Sequence, residues 1–211
     1  MRERTILNTS YRKPFRTSDQ AMDATLTEIT RETKTALSAG ASELDLVLNV
    51  PDLDSQSYTQ IFTELSSIRQ CAPPPTLIKL ILETSLLIPS QIIAASVLAG
   101  AANLDFIKTS TGFLGPNSGA RIEDVRLMRR CCEKLVQGAR REMRVKASGG
   151  IRTLGDAVAM LEAGAERLGT SGGVWIAKEA QEAAERRSPE SVLSNGEKER
   201  PVLATRLYTD Y

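Results

Sequence analysis

Five short apolar runs recur along this chain, at residues 43–50, 77–84, 104–108, 143–147 and 166–170, with helix-periodic stretches between them and no hairpin signal. Runs of this length bounded by turn residues read as buried strands. Strands joined through helices lie parallel, with right-handed crossovers. Two architectures accommodate that order: a (β/α)8 barrel and an open doubly wound sheet. No glycine-rich dinucleotide fingerprint follows an early run, whereas glycine-rich turns follow the last two. That is where a barrel holds a phosphate, so a barrel of the TIM type is the expectation.

The helices carry their own punctuation. Thr17 and Gln20 form a capping box, followed by Met22, Leu26, Ile29, Ala36 and Leu37 at helical spacing and Gly40 as a stop. Tyr58 to Ile68 repeats the pattern and ends at Pro73, Pro74 and Pro75. Pro89 opens a third helix and Asn117 or Ser118 caps a fourth. Thr153 with Asp156 makes a second capping box, and a last helix covers residues 174–185. These limits divide the chain into an unplaced segment, 1–16, a barrel-type domain, 17–185, and a polar tail, 186–211, expected to be mobile.

Composition removes several kinds of chemistry. There is no histidine among the 211 residues, which excludes a His general base, a Ser-His-Asp triad and a His-ligated zinc. Net charge is +1 without a dense basic cluster, and no apolar run approaches membrane-spanning length, so neither a nucleic acid nor a membrane is an expected partner. Cys71, Cys131 and Cys132 form an odd, unspaced set that suits a reducing, cytoplasmic compartment rather than a disulfide framework.

Lysine and carboxylates are left to carry any acid–base work. Lys108 closes the third run and Lys146 lies near the end of the fourth. On neighbouring strands about 4.8 Å apart, two inward amines disfavour each other's protonation, and a neutral amine attacks carbonyl carbon. The competing reading is two separate lysines whose heads reach solvent. Asp45 lies inside the first run, with Glu43 two residues earlier on the same face. Such an acid needs a partner: a salt bridge holding the barrel, or a proton relay with Lys146. Lys79 and Glu83 share a face of the second run and are expected to pair with each other. Ser148-Gly149-Gly150 and Gly169-Thr170-Ser171-Gly172-Gly173 offer backbone N–H groups to an anion, the second at a helix start, and Thr111-Gly112 could add a donor.

The segments Ile107-Lys108-Thr109-Ser110-Thr111-Gly112-Phe113, Val145-Lys146-Ala147-Ser148-Gly149-Gly150 and Leu168-Gly169-Thr170-Ser171 resemble the signatures of the deoxyribose-phosphate aldolase family. Residues 43–49 and 77–84 match in order and spacing, so the resemblance spans about residues 17–176. It implies a class I aldolase on a (β/α)8 barrel, without metal or other cofactor and usually oligomeric. Such enzymes cleave the small sugar phosphate 2-deoxy-D-ribose 5-phosphate to D-glyceraldehyde 3-phosphate and acetaldehyde. By the same resemblance Lys108 forms the Schiff base. Lys146 lowers its pKa and, with Asp45, handles protons. Gly149, Gly150, Gly169 and Ser171 match that family's phosphate-binding turns; Gly112 is a further candidate donor from its own position, and Lys79 and Thr111 are candidates for support. Gly172 stands where members often carry a second serine, and Tyr211 resembles a C-terminal tyrosine that some members fold over the site.

The recognisable units correspond to strands four to eight of that barrel, and residues 1–16 are too short for the first three. Five strands leave two unpaired edges. Three readings therefore stay open: an aldolase whose barrel is completed elsewhere, an incomplete relative with little catalysis, and a non-catalytic sugar-phosphate-binding protein.

Overall fold

The computed structural model describes residues 4–7, 19–115, 119–136, 142–186 and 207–209. Among these residues seven strands form one all-parallel sheet in chain order: β1 Arg4–Leu7, β2 Glu43–Val47, β3 Leu77–Ile81, β4 Phe106–Lys108, β5 Arg144–Ser148, β6 Arg167–Thr170 and β7 Leu207–Thr209. The helices between them are α1 Asp19–Ser38, α2 Val50–Asp54, α3 Tyr58–Cys71, α4 Pro89–Ala101, α5 Ile122–Val136, α6 Leu154–Glu162 and α7 Gly173–Arg186, with a 3-10 turn at Thr84–Leu86.

All five expected strands are present, as β2 to β6. The structure differs from expectation at both ends. Arg4–Leu7 pairs parallel with β2, and Leu207–Thr209 pairs parallel with β6. Each supplies partners to backbone N–H and C=O groups that a five-stranded sheet would leave open at its edge. The run Thr5-Ile6-Leu7, able to begin a strand by its residues though crowded by Arg, Lys, Pro and Tyr, falls within β1, whereas the triplet 207–209 gives no strand signal in its polar segment. The first expected run is shorter than drawn, since Asn49 caps the unforeseen helix α2 by accepting a hydrogen bond from the Asp52 N–H. The Thr153–Asp156 capping box forms as expected. Thr17, Asn117, Ser118 and Tyr211 lie outside the described residues.

The two faces of the sheet have opposite chemistry. Leu44, Leu46, Ile78, Leu80, Ile107, Val145, Ala147 and Leu168 are fully buried and pack outward, in one apolar cluster with Ile68, Ile92, Val125, Met128 and Ile176 of the helices. The alternate positions carry Glu43, Asp45, Lys79, Phe106, Lys108, Arg144, Lys146 and Arg167. Register pairs Asp45 with Lys79, Lys79 with Phe106, Lys108 with Lys146 and Lys146 with Arg167, so these side chains share the inner face.

That face is concave. Arg167 Nη1 lies 3.1 Å from both carboxylate oxygens of Glu43, although three strands separate β6 from β2. In a flat sheet those strands would be about 19 Å apart, beyond the reach of the two side chains. Curling brings them together, as closure of a barrel requires. Arg144 and Arg167 each stack on the Phe106 ring, 4.3 and 4.6 Å from its centroid, and so fill part of the interior.

Candidate active site

Lys108 is the last residue of β4, and Cα register places it directly opposite Lys146 of β5. Both side chains are buried, at 3% and 0% exposure, so neither lysine is a solvated strand end. Thr109 fixes the two strands beside them. Its Oγ1 accepts from the Ser148 N–H and donates to the Ser148 carbonyl, both at 2.9 Å. Nothing in the spacing distinguished Thr109 from the other hydroxyl residues after Lys108.

Asp45 is the hub of the inner face. Its Oδ2 lies 3.1 Å from Lys108 Nζ and its Oδ1 2.6 Å from Lys79 Nζ. Lys79 also reaches Glu43 Oε2 at 2.8 Å, and Glu43 receives Arg167. The expected Lys79–Glu83 pair is therefore corrected: Lys79 points into the concave face toward two acids on the adjacent strand β2, where register sets Asp45 directly opposite it. Glu83 stands in a left-handed conformation, φ 56°, that turns its side chain away.

Burial by itself would push the Asp45 carboxyl upward, because the charged form loses its water. The ammonium groups of Lys79, Lys108 and Lys146 outweigh that and hold it down to about 2. At Glu43, too, burial raises the carboxyl, and Lys79 and Arg167 reverse the direction. The folded value of Asp45 lies below its unfolded value of 3.8. Its contribution to stability is thus complete above about pH 4 and vanishes as pH falls through about 2, amounting to about 2 kcal/mol. Urea unfolding at pH 5 and pH 2.5 should show the loss, and Asp45→Asn should remove its share of the difference.

Gly112, Gly149 with Gly150, and Gly172 lie beyond the C-terminal ends of β4, β5 and β6, whereas Gly169 lies inside β6, in register with Ser148. Gly149 and Gly150 have φ of 87° and 76°, conformations that side-chain-bearing residues rarely adopt. A Cβ on Gly119 would lie 2.8 Å from the Gly149 carbonyl, so the loop before α5 packs directly on this turn. Two expected anion donors are already engaged, since the Gly149 N–H donates to the Gly169 carbonyl at 3.3 Å and the Gly112 N–H to Ser110 Oγ at 2.9 Å. Gly172 N–H likewise donates to Thr170 Oγ1. The start of α7, a helix of 14 residues, opens at this end of the sheet after Ser171, with the unsatisfied N–H groups of any helix N-terminus. Thr111 lies in the loop after β4, where its N–H donates to Glu83. Among the described residues no group of three or more His, Cys, Asp or Glu is placed to hold a metal ion. No helix among them is long and apolar enough to cross a membrane.

Residues 6–179 match the model of the DeoC/LacD family aldolases. The chain belongs to the DeoC/LacD aldolase family. It is 50% identical over 150 residues to a deoxyribose-phosphate aldolase of Coccidioides immitis, covering 71% of this chain and 54% of that protein. A crystal structure of a putative deoxyribose-phosphate aldolase from Coccidioides immitis superposes with a TM-score of 0.69 at 43% identity, covering 84% of this chain and 64% of that one. The deoxyribose phosphate aldolase from Aeropyrum pernix, described as a unique tetramer, gives a TM-score of 0.63 at 28% identity, covering 84% of this chain and 68% of that one. This DeoC/LacD chain thus spans a little over half the length of the first of these relatives.

Proposed function

We propose that this chain is a Schiff-base aldolase that reversibly cleaves 2-deoxy-D-ribose 5-phosphate to D-glyceraldehyde 3-phosphate and acetaldehyde. One observation carries the reading: in a chain of an aldolase family, a buried lysine amine stands in register with a second lysine and 3.1 Å from a carboxylate.

The Lys108 amine adds to the C1 aldehyde, and a proton delivered to the carbinolamine hydroxyl lets it leave as water, giving the protonated imine. Removal of the C3 hydroxyl proton breaks the C2–C3 bond. Glyceraldehyde 3-phosphate leaves, and the electron pair flows into the imine to give an enamine. Protonation at C2 and hydrolysis then release acetaldehyde and restore the amine. A carboxyl held down to about 2 is a weak base near neutral pH. Asp45 therefore serves chiefly as the fixed negative pole for the iminium and for Lys79, and Lys146 carries the moving proton. The phosphate rests against Gly150, Gly169, Ser171 and the start of α7, where backbone donors and the helix dipole favour an anion. Gly112 and Gly149 shape the turns around it. The reading includes a cytoplasmic protein that assembles with copies of itself, in line with the tetramer described for the Aeropyrum pernix relative.

Sodium borohydride added with acetaldehyde or deoxyribose 5-phosphate should fix a covalent adduct, and peptide mass mapping should place it on Lys108. A folded sample that gives no adduct overturns the aldolase reading. Binding of the phosphate ester without an adduct would instead favour a sugar-phosphate-binding role.

A further inference from the structure

The backbone between β3 and the 3-10 turn departs from a regular ladder beside Lys108. The Leu82 N–H donates to the Lys108 carbonyl and the Thr84 N–H to the Thr109 carbonyl, both at 2.9 Å. Two residues of advance on one side therefore meet one on the other, which makes Glu83 the extra residue of a bulge. Bulges re-aim side chains, and a residue other than glycine keeps a left-handed conformation only where its surroundings enforce it. Here the re-aimed carboxylate is 4% exposed and accepts a hydrogen bond from the Thr111 N–H through Oε1. Its Oε2 is buried without a hydrogen-bond partner among the described residues. An acid serving stability alone would be expected to satisfy both oxygens.

We propose that Glu83 is a positioning residue that fixes the Thr111–Gly112 backbone next to the reactive lysine. Segment 82–84 grips the end of β4 and the chain beyond it at three points: the carbonyls of Lys108 and Thr109 through its backbone, and the Thr111 amide through the Glu83 side chain. The first two bonds hold the amine-bearing end of β4. The third holds the start of the loop that faces the phosphate end of the substrate. That assignment of the loop rests on the aldolase reading; the grip itself does not.

Glu83→Leu removes the third bond and leaves the backbone pair, whereas Glu83→Gln keeps an acceptor oxygen for Thr111. In the ligand-free protein, hydrogen exchange of the Thr111 amide should accelerate at least tenfold in Glu83→Leu and stay near the parent rate in Glu83→Gln. In catalysis Glu83→Leu should raise KM for deoxyribose 5-phosphate on the order of tenfold, since a lost buried hydrogen bond is worth about that factor. Borohydride trapping of acetaldehyde, which has no phosphate, should stay within about twofold, and Glu83→Gln should recover most of the KM. Unchanged Thr111 exchange in Glu83→Leu overturns the grip. Equal losses of acetaldehyde trapping and phosphate-ester affinity overturn the assignment to the loop and indicate a general structural role. A parent protein that traps no acetaldehyde refutes the aldolase reading instead, and the exchange measurement still decides the grip.

Discussion

Lys108→Met is expected to abolish the borohydride-trapped adduct and to lower the rate of deoxyribose 5-phosphate cleavage roughly a thousandfold or more, the scale seen when a covalent nucleophile is removed. The substitution keeps an unbranched side chain of similar length in a site that is 3% exposed, so it leaves no large cavity. Its cost to folding is one charge-assisted hydrogen bond to Asp45 Oδ2, about 1–3 kcal/mol. A folded Lys108→Met protein that still traps acetaldehyde would move the imine to another lysine, and Lys146, its register partner, is the first to map. Lys79 is the less suited alternative. Its Nζ is engaged by two carboxylates at 2.6 and 2.8 Å, and these contacts tether it on the strand face away from an incoming carbonyl.

Asp45 should prove the most expensive polar residue on the inner face. Asp45→Asn removes the charge that faces Lys79 and Lys108 together. Breaking a buried ion pair from one side costs about 3–5 kcal/mol, because the other charge stays behind without compensation. Lys79→Met should cost less: it leaves Asp45 with Lys108 and Glu43 with Arg167, so each acid keeps a cation. Urea unfolding of the two variants at neutral pH checks the order. Equal costs would mean that Asp45 does not act as the hub of the network.

Much of this arrangement was legible in the chain itself. The alternation of apolar runs and helical periods placed β2 to β6, because a buried strand and an amphipathic helix leave different hydrophobic spacings. Lys108 and Lys146 stood out because few side chains are less suited to a strand interior. Their pairing across β4 and β5 follows from the order of the strands. The glycines of the β5 turn announced themselves through a backbone that needs positive φ. The outer strands were harder to read. Leu207–Thr209 is three residues in a polar segment, and Arg4–Leu7 four among charged ones. Runs that short carry almost no periodic signal, and they become strands only because β2 and β6 offer them edges.

The amino-acid sequence by itself determined the order of the five central strands, which residues alternate between faces along them, and that amine and carboxylate groups must carry the chemistry of a chain without histidine. Only the tertiary structure decided which of the inward groups meet. Periodicity reports the face of a strand, and it contains nothing about curvature. Curling the sheet brought Arg167 to Glu43 across three strands, and the alignment of β2 with β3 turned Lys79 from Glu83 to Asp45. One left-handed residue, φ 56° at Glu83, then sent a carboxylate that a regular strand would aim along the inner face to the amide of Thr111.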